Sequence, residues 1–489
     1  MQKRVIYWLS FWATLVLAAL PAAAITDIGP TNRVWLQGVV ELVFSGGFKN
    51  EGLLLLETID DAFNVNLLVT TGAITNTPTG LVQINPGAGG NRVVSANWFN
   101  YGTIDVNYGA DLTKTNSFFY QRGNFNIASN LIVYIYSTNG VFSQDAGKFE
   151  IEGKVEFKRV AFNYNGGTIG GSPTLISSSL LISETATNPA TFVFNGPECQ
   201  LFGNNPTNCF LEVQGSALEG AVVLTNVGGF RNDGTISLDS TNTVAPATLT
   251  VTEGGITNSS SGIINIESGT GGQREIDADL INLGRINVNS VLTINSPSGG
   301  ITNAGELKIS ADQLLMVKSN YVQAPSGALE IELVQPDPAF DHEALNVAGL
   351  AQIDGLLEIA IPGNFTPSPN ALFVLLRCET RVGFFNSVVV PPLPNSQTWK
   401  IDYHAQDVTL TVSPTMETPS LKEFRLLSGD KFYLVFSGTV GGGYVLQSSA
   451  DLIHWSNLRT NRPFSGILEY VEPNIKQIPV RFYRVIPAP

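Results

Sequence analysis

LINLGRINV (280–288) and ITNAGELKI (301–309) are two copies of a nine-residue pattern that decides the fold of this 489-residue chain. Further copies are WFNYGTIDV (98–106), FYQRGNFNI (119–127) and FRNDGTISL (230–238). Each reads apolar, any, Asn or Gln, any, Gly, any, apolar, any, apolar. The alternation after the glycine predicts a short strand with one face inward, and a repeat of about 22 residues predicts stacked coils.

Glycines carry this repeat through most of the chain. They are Gly52, Gly80, Gly102, Gly123, Gly147, Gly167, Gly234, Gly262, Gly284, Gly305 and Gly327. A single coil can bury its apolar face only against the next coil. We therefore predict an all-β fold, a right-handed parallel β-helix or solenoid of about 22 residues per coil. A β-sandwich array is the alternative, but its strands recur about every 8–12 residues without this fixed phase.

Two residue types in the pattern have predicted structural roles. The turn glycines are Gly102, Gly123, Gly234, Gly284 and Gly305. We expect them at turns with positive φ, which would cost other residues roughly 1–2 kcal/mol. The Asn two positions before the glycine is expected to hydrogen-bond along the stack, as in cross-β amide ladders. Residues 31–47 are the expected N-terminal cap, because open coil ends invite edge pairing.

Charge and composition exclude some function classes. The 27 basic and 41 acidic residues give a net charge of −14, and a polyanion repels phosphate backbones. We therefore predict no nucleic-acid partner. The opening MQKRVIYWLSFWATLVLAALPAAA is typical of a signal peptide over residues 1–24, with a retained membrane anchor as the alternative. We expect a secreted or outer-surface protein, or alternatively a periplasmic one, without a membrane span in the mature chain.

Cysteine and histidine are scarce, with three of each in the chain. In an exported protein we predict a disulfide between Cys199 and Cys209, with two inert buried thiols as the alternative. Cys378 is left over in either case. All three histidines lie in the last third of the chain, so the repeats lack an imidazole for a Ser-His-Asp triad. We predict neither a metal centre nor a cofactor.

REIDADL holds the best carboxylate cluster, because Glu275, Asp277 and Asp279 share one face of a strand. Such side chains lie roughly 6–7 Å apart, within reach of a cation or an acid/base pair. β-Helical polysaccharide lyases and hydrolases use acidic clusters in this way, although any outward strand face looks similar. The run KFEIEGKVEFKR (148–159) alternates charges of both signs, which predicts solvated cross-strand pairs on one face, with a charged docking strip as the alternative.

The end of the chain resembles two known families. Residues 321–413, from YVQAPSGALEI to TWKIDYHAQDVTLTV, resemble the terminal part of autotransporter passenger domains, which implies a segment that ends a β-helix and helps its folding. Residues 421–489, with YVLQSSADLIHW and FYRV, resemble the immunoglobulin-like module of bacterial exported proteins. This second resemblance implies a small β-sandwich after a linker at 414–420. Its Tyr444 and Trp455 are expected in the core, with carbohydrate stacking as the alternative.

The predicted organisation is a solenoid over 25–320, the passenger-like terminator and the small sandwich. We expect a non-enzymatic, structural or adhesive protein that presents a rigid repetitive surface to glycans or cell-surface proteins. The alternative is a carbohydrate-active β-helix enzyme that uses Glu275, Asp277 and Asp279. An enzyme needs carboxylates from neighbouring coils that converge in a groove beside Lys or Arg, whereas adhesion needs only a flat face.

Overall fold

The computed structural model describes residues 9–10, 12–16, 27–31, 33–36, 40–58, 62–242, 244–335, 343–363, 365–394, 397–413, 418–461, 465–477 and 480–488. The chain forms a first unit of Met1–Gly254 with Gly269–Gln273 and a second unit of Gly255–Ser268 with Arg274–Pro489. Apart from strands Leu9–Ser10 and Trp12–Val16, the expected signal peptide lies outside the described residues. In the described part of the chain, no helix is long and apolar enough to cross a membrane.

Both units are parallel β-solenoids in which each coil adds strands to three ladders. The asparagine ladder holds strands that mostly end in Asn or Gln, the glycine ladder holds strands that follow the repeat glycine, and the middle ladder holds the strands between them. In the glycine ladder Val82, Ile104, Phe125, Phe149 and Ile169 are successive partners, at offsets of 22, 21, 24 and 20 residues. The predicted all-β solenoid and its period are confirmed.

The first unit contains most of the coils in the N-terminal half. Its glycine ladder is Arg33–Leu36, Leu53–Leu56, Leu81–Ile84, Thr103–Val106, Asn124–Ile127, Lys148–Ile151 and Thr168–Gly170. Its middle ladder is Val40–Phe44, Val65–Val69, Arg92–Ser95, Ala110–Thr113, the first halves of Ile132–Gln144 and Lys154–Tyr164, Thr174–Ile176 and Ala190–Asn195. Its asparagine ladder is Asp27–Ile28, Phe48–Asn50, Ile74–Asn76, Trp98–Asn100, Phe118–Gln121, the second halves of the two long strands, Ser179–Ile182 and Cys199–Phe202.

The last strands of the first unit continue the parallel pairing. They are Cys209–Gly215, Val222–Asn226, Phe230–Asn232, Thr235–Ser240 and Ala247–Val251. Large aromatic rings fill the interior between the ladders. Phe119 and Phe142 have ring centroids 5.0 Å apart, as do Phe125 and Phe149. Such contacts add to the burial energy of a dry core.

The second unit has the same three ladders. Its glycine ladder is Ile263–Ile266, Arg285–Val288, Glu306–Ile309, Ala328–Glu332, Leu356–Ala360 and Ser387–Val389. Its middle ladder is Arg274–Asp277, Leu292–Ile294, Leu315–Val317 and the first halves of Glu343–Ile353 and Leu372–Gly383. Its asparagine ladder is Ile256–Asn258, Leu280–Asn282, Ile301–Asn303, Tyr321–Gln323 and the second halves of the two long strands.

The repeat glycines stand in register, as the solenoid requires. The backbone N–H after one glycine donates to the carbonyl of the glycine one coil earlier: Asn124 to Gly102 at 2.7 Å, and Lys148 to Gly123 at 2.8 Å. The same contact joins Glu306 to Gly284 at 2.7 Å in the second unit. This alignment explains why the glycine phase is the strongest signal in the sequence.

The positive φ that was predicted for the turn glycines is wrong. None of Gly102, Gly123, Gly234, Gly284 and Gly305 has a positive φ. They sit instead where the backbone of the preceding coil passes too close for a side chain. A Cβ on Gly284 would lie 2.2 Å from the carbonyl oxygens of Gly262 and Ser259. Close approach of stacked coils, and not turn conformation, therefore excludes larger residues.

The two ends of the repeat region differ from each other. Residues 31–47 were expected to cap the N-terminus, but Arg33–Leu36 and Val40–Phe44 pair in parallel with the next coil as ordinary ladder strands. Towards the C-terminus, Asp407–Ser413 pairs antiparallel with Leu372–Gly383 and with Thr398–Tyr403. This antiparallel hairpin occupies the free edge of the last coil, so it ends the parallel ladder.

Two small antiparallel sheets complete the second unit. One contains Ser420–Leu427, Lys431–Ser437 and Ile467–Glu472, and the other contains Ser456–Asn461, Tyr444–Ser449 and Phe482–Pro487. The short strand Thr439–Val440 and the 3₁₀ helix Ile475–Gln477 complete this region. The sheets share a core of Leu434, Phe436, Tyr444, Leu446 and Leu468, which confirms a small β-sandwich. Of the expected linker, residues 414–417 lie outside the described residues.

Candidate binding surface

Glu275, Asp277 and Asp279 do share the outward side of their chain segment, and Ile276, which lies between them, is fully buried. The partners of this strand in the next coil are Leu292–Ile294, so the residue opposite Glu275 is Thr293. Asp277 accepts a hydrogen bond of 2.8 Å from Asn295. In the described part of the second unit, the next coil therefore places a hydroxyl and an amide, and not a second carboxylate, beside this cluster.

The carboxylate of Asp279 accepts hydrogen bonds from a single loop, residues 296–299. Its carboxylate accepts hydrogen bonds from the hydroxyl of Ser296, from the hydroxyl of Ser298 at 2.7 Å and from the backbone N–H of Gly299 at 2.8 Å. Burial alone would raise the pKa of Asp279, but these hydrogen bonds outweigh it and lower the pKa to about 2. The geometry thus favours a structural role, and across the described residues no group of three His, Cys, Asp or Glu is placed to hold a metal ion.

The charged run 148–159 does not form one face. Gly153 stands at a corner, and the run divides into Lys148–Ile151 of the glycine ladder and Lys154–Tyr164 of the middle ladder. Within each part the ion pairs join residues of one strand, and not of neighbouring strands as predicted: Lys148 with Glu150 at 2.8 Å, and Lys154 with Glu156 at 2.6 Å. The sequence does not indicate this corner, because charged and apolar residues alternate on both sides of Gly153.

The predicted disulfide is wrong. Cys199 and Cys209 are free thiols with 1% and 2% of their surface exposed, and Cys378 is also free and buried. Cys199–Phe202 pairs with Ser179–Ile182, whereas Cys209–Gly215 pairs with Ala190–Asn195, so the two cysteines belong to strands of different ladders. Burial raises the pKa of both thiols to about 11, which keeps them protonated and inert.

The sandwich aromatics differ in position. Tyr444 lies in the core, as predicted. Trp455 was also expected there, but it lies outside that core, and the guanidinium of Arg484 covers its ring at 4.0 Å.

Near Trp455, the carboxylate of Asp451 forms hydrogen bonds with His454 Nδ1 at 2.7 Å and with the Ser449 hydroxyl at 3.0 Å. The hydrogen bond from His454 contributes most to a lowered pKa of Asp451. Because Ser449 contacts the carboxylate and not the imidazole, these residues do not form a nucleophilic triad.

A pair of exposed tyrosines marks a different surface, on the first unit. Tyr134 and Tyr136 alternate with buried residues on strand Ile132–Gln144 and keep 43% and 39% of their surface exposed. Ile132, on the same side, is 43% exposed. The strand has parallel neighbours on both sides, so the rings stand on a rigid support. We call Ile132, Tyr134 and Tyr136 the tyrosine strip.

A groove of about 740 Å³ adjoins the tyrosine strip, where the middle ladder bends into the asparagine ladder. Its polar lining includes Thr138, Asn139, Arg159, Ser177, Ser179, Glu198, Gln200 and Thr225. The hydroxyl of Tyr136 lies 3.5 Å from Thr138 Oγ1. This hydrogen bond, together with the positive charge of Arg159, lowers the pKa of Tyr136. We call this feature the corner groove.

The backbone of the corner groove is strained. Asn139, Arg159 and Ser177, at the same corner of three successive coils, have φ values of 58°, 57° and 46°. Each such residue costs about 1 kcal/mol or more relative to glycine. Three residues with side chains thus occupy a backbone conformation that glycine adopts at lower cost, and strain of this kind often occurs at binding sites.

A second cleft, of about 720 Å³, lies within the second unit. Its charged lining residues are Arg381, Arg425, Arg459, Asp354, Glu423 and Glu469. Their formal charges cancel, and the Nε–H of Arg381 is already donated to the carbonyl of His404 at 2.8 Å. Arg425 and Arg459 are engaged as well, with Glu423 at 3.3 Å and with the carbonyl of Glu469 at 3.0 Å. The cationic groups of this cleft are therefore already committed to partners within the second unit.

The chain matches no protein-family model, no curated protein and no solved structure. The passenger-like and immunoglobulin-like resemblances therefore stay predictions, and the solenoid is established by the geometry alone. The tyrosine strip could not be predicted from the sequence, because IVYIYS (132–137) is also typical of an ordinary strand. The only available signal was that its two tyrosines occupy the outward phase of the alternation.

Proposed function

We propose that the protein is an exported, non-enzymatic adhesive solenoid whose first unit binds a polysaccharide along the tyrosine strip and the corner groove. The observation that supports this proposal best is the pair Tyr134 and Tyr136, two uncovered rings on a strand that is fixed on both sides. A rigid support matters because the side chains lose little conformational freedom on binding.

Sugar rings fit this surface chemically. A pyranose has an apolar face of C–H groups and a rim of hydroxyls, so it can stack on tyrosine and hydrogen-bond at its edges. Residues two apart on a strand stand roughly 6–7 Å from each other, which lets the two rings contact neighbouring sugars of one chain. The hydroxyls, amides and guanidinium of the corner groove supply the edge contacts.

Charges near the strip favour a neutral polysaccharide. Lys154 is paired with Glu156 at 2.6 Å, and Lys158 is paired with Glu219 at 3.2 Å. Arg159 forms no ion pair with any described residue and supplies planar donors for hydroxyl oxygens. Because both of these lysines already have acidic partners, a densely charged polysaccharide would gain little from them.

The test is affinity electrophoresis of the full chain in gels that contain neutral polysaccharides, with a reducing-end assay on the same mixtures. We expect retardation without sugar release, and at least tenfold weaker binding for Tyr134→Ala/Tyr136→Ala. Tyr101→Ala is the matched control, since Tyr101 is 40% exposed on the same unit but lies off the strip. Unchanged binding by the double variant, or no binding by the wild type across the panel, would refute the proposal.

A further inference from the structure

The sandwich has an unpaired edge that is unusually apolar. Strand Ser420–Leu427 is the outer strand of its sheet and pairs with Lys431–Ser437; on its other side it has no partner among the described residues. It is eight residues long and contains no proline. Proteins usually shield such edges, because the free N–H and C=O groups are a template for another strand.

Apolar side chains on this edge are left uncovered. Leu421, Phe424 and Leu426 are 47%, 64% and 72% exposed. Phe424 is the cross-strand partner of Leu434, which lies in the sandwich core and is only 3% exposed. The apolar side of this sheet therefore continues past the area that the opposite sheet covers. Exposed apolar patches of this kind mark interaction sites.

We propose that this edge binds a second copy of the chain, by antiparallel pairing of two Ser420–Leu427 strands. The pairing is centred on Phe424, which then faces its own symmetry mate. In that register Glu423 of each copy faces Arg425 of the other copy, twice in the dimer. A self-complementary strand is what a two-fold symmetric interface requires.

Charge selects this register over its neighbours. From Glu423 to Leu427 the side chains alternate between the two faces, and residues directly opposite each other point to the same face, so the pairing can slide only by an even number of residues. Sliding one strand by two residues in one direction places Glu423 opposite Glu423 of the other copy. Sliding it by two residues in the other direction places Arg425 opposite Arg425. Like charges directly opposite each other destabilise a strand pair. The second copy is thus favoured as the occupant, in one specific alignment.

This inference goes beyond the proposed function and does not depend on it. If both hold, a dimer carries two tyrosine strips, and the second contact with a long polysaccharide becomes intramolecular. Binding by the monomer would still be detectable at lower avidity, so the failure of one proposal can be told from the failure of the other.

Sedimentation velocity of the full chain over a concentration series tests the dimer. We expect concentration-dependent dimerisation of the wild type, and at least tenfold weaker dimerisation for Glu423→Arg and for Arg425→Glu. An equimolar mixture of these two variants should dimerise again, because the two arginines of one face the two glutamates of the other. In each single variant the intrachain contact between 423 and 425, 3.3 Å in the wild type, stays broken, so only the intermolecular pairing explains recovery.

The control is Leu218→Asp, at a leucine that is 89% exposed on the first unit, and it should leave dimerisation unchanged. Phe424→Asp should weaken the dimer as the charge reversals do. Thermal unfolding of each variant shows whether the sandwich is still folded. A wild type that is monomeric at every concentration, or a mixture that fails to recover the dimer, would overturn the proposal.

Discussion

Asn282 donates its side-chain N–H to the side-chain oxygen of Asn303 at 2.8 Å, and the same group also reaches the carbonyl of Glu306 at 3.0 Å. In turn Asn282 accepts from Asn258 at 2.7 Å, and all three amides are fully buried. The amide ladder expected from the sequence is therefore present. It runs along the interior of the asparagine ladder, where these amides have no exposed surface.

Replacing Asn282 by alanine should destabilise the second unit by about 2–4 kcal/mol, because a buried donor and a buried acceptor each lose a partner. The matched control is Asn287→Ala, since Asn287 donates to Asn265 at 2.8 Å on the outer side of the glycine ladder. That change should cost about 0.5 kcal/mol or less. Urea unfolding at neutral pH measures the free energy of unfolding of both variants. An equal decrease in the two variants would contradict the prediction that the interior amide ladder contributes more to stability than the outer hydrogen bond.

How far the sequence predicts this fold can be seen from individual residues. The alternation and the phase of Gly102 and Gly123 encode ladder register directly, so the solenoid, its period and the amide ladder follow from the pattern. The corner at Gly153 could not be predicted, because the charges on either side of it alternate without a break. The state of Cys199 and Cys209 depends on which ladder each strand joins, and proximity along the chain carries no such information.

Replacing Gly284 by valine should lower stability by about 2 kcal/mol or more, as overpacking against fixed backbone does. The new Cβ would meet two carbonyl oxygens of the preceding coil at 2.2 Å, and neither can move without breaking the ladder. Gly284→Ala should already show most of the loss, since the clash is at Cβ. Gly228→Ala is the control, because a Cβ there meets nothing within 4 Å and its φ is not positive. Thermal melting would contradict this account if Gly284→Ala were neutral.

Arg92 shows a contact that no sequence pattern revealed. It is 1% exposed, and its guanidinium donates to the carbonyls of Gly89 and Gly90, both at 2.9 Å, and of Pro86 at 2.6 Å. The loop NPGAGGN (85–91) thus folds around a buried cation. A similar stretch, SGTGGQ (268–273), precedes Arg274, which is equally buried and donates to the carbonyl of Glu267 at 3.0 Å.

Replacing Arg92 by lysine should cost about 2–4 kcal/mol, because an ammonium has three donors and cannot match the planar set of acceptors. Limited proteolysis should also become faster within residues 85–91, since the loop loses its internal support. Arg122→Lys is the control: Arg122 forms an exposed ion pair with Asp145 at 3.1 Å, which contributes little to stability. Equal protease resistance in the two variants would show that Arg92 does not organise the loop.

Asp279 should make the second unit sensitive to acid. Its pKa is lowered to about 2 in the folded state, so the folded chain holds this proton less tightly than the unfolded chain does. The stabilisation is therefore complete above the unfolded pKa of about 4 and is lost as pH falls towards 2. We expect Asp279→Asn to be less stable than the wild type by about 1–2 kcal/mol at pH 7, after allowance for partial exposure, and this difference in stability to shrink below pH 4.

The control is Asp277→Asn, at a carboxylate with a single amide partner, which should show a smaller difference. A gap for Asp279→Asn that stays constant down to pH 2.5 in urea titrations would exclude the carboxylate as the anchor of the Ser296–Gly299 loop.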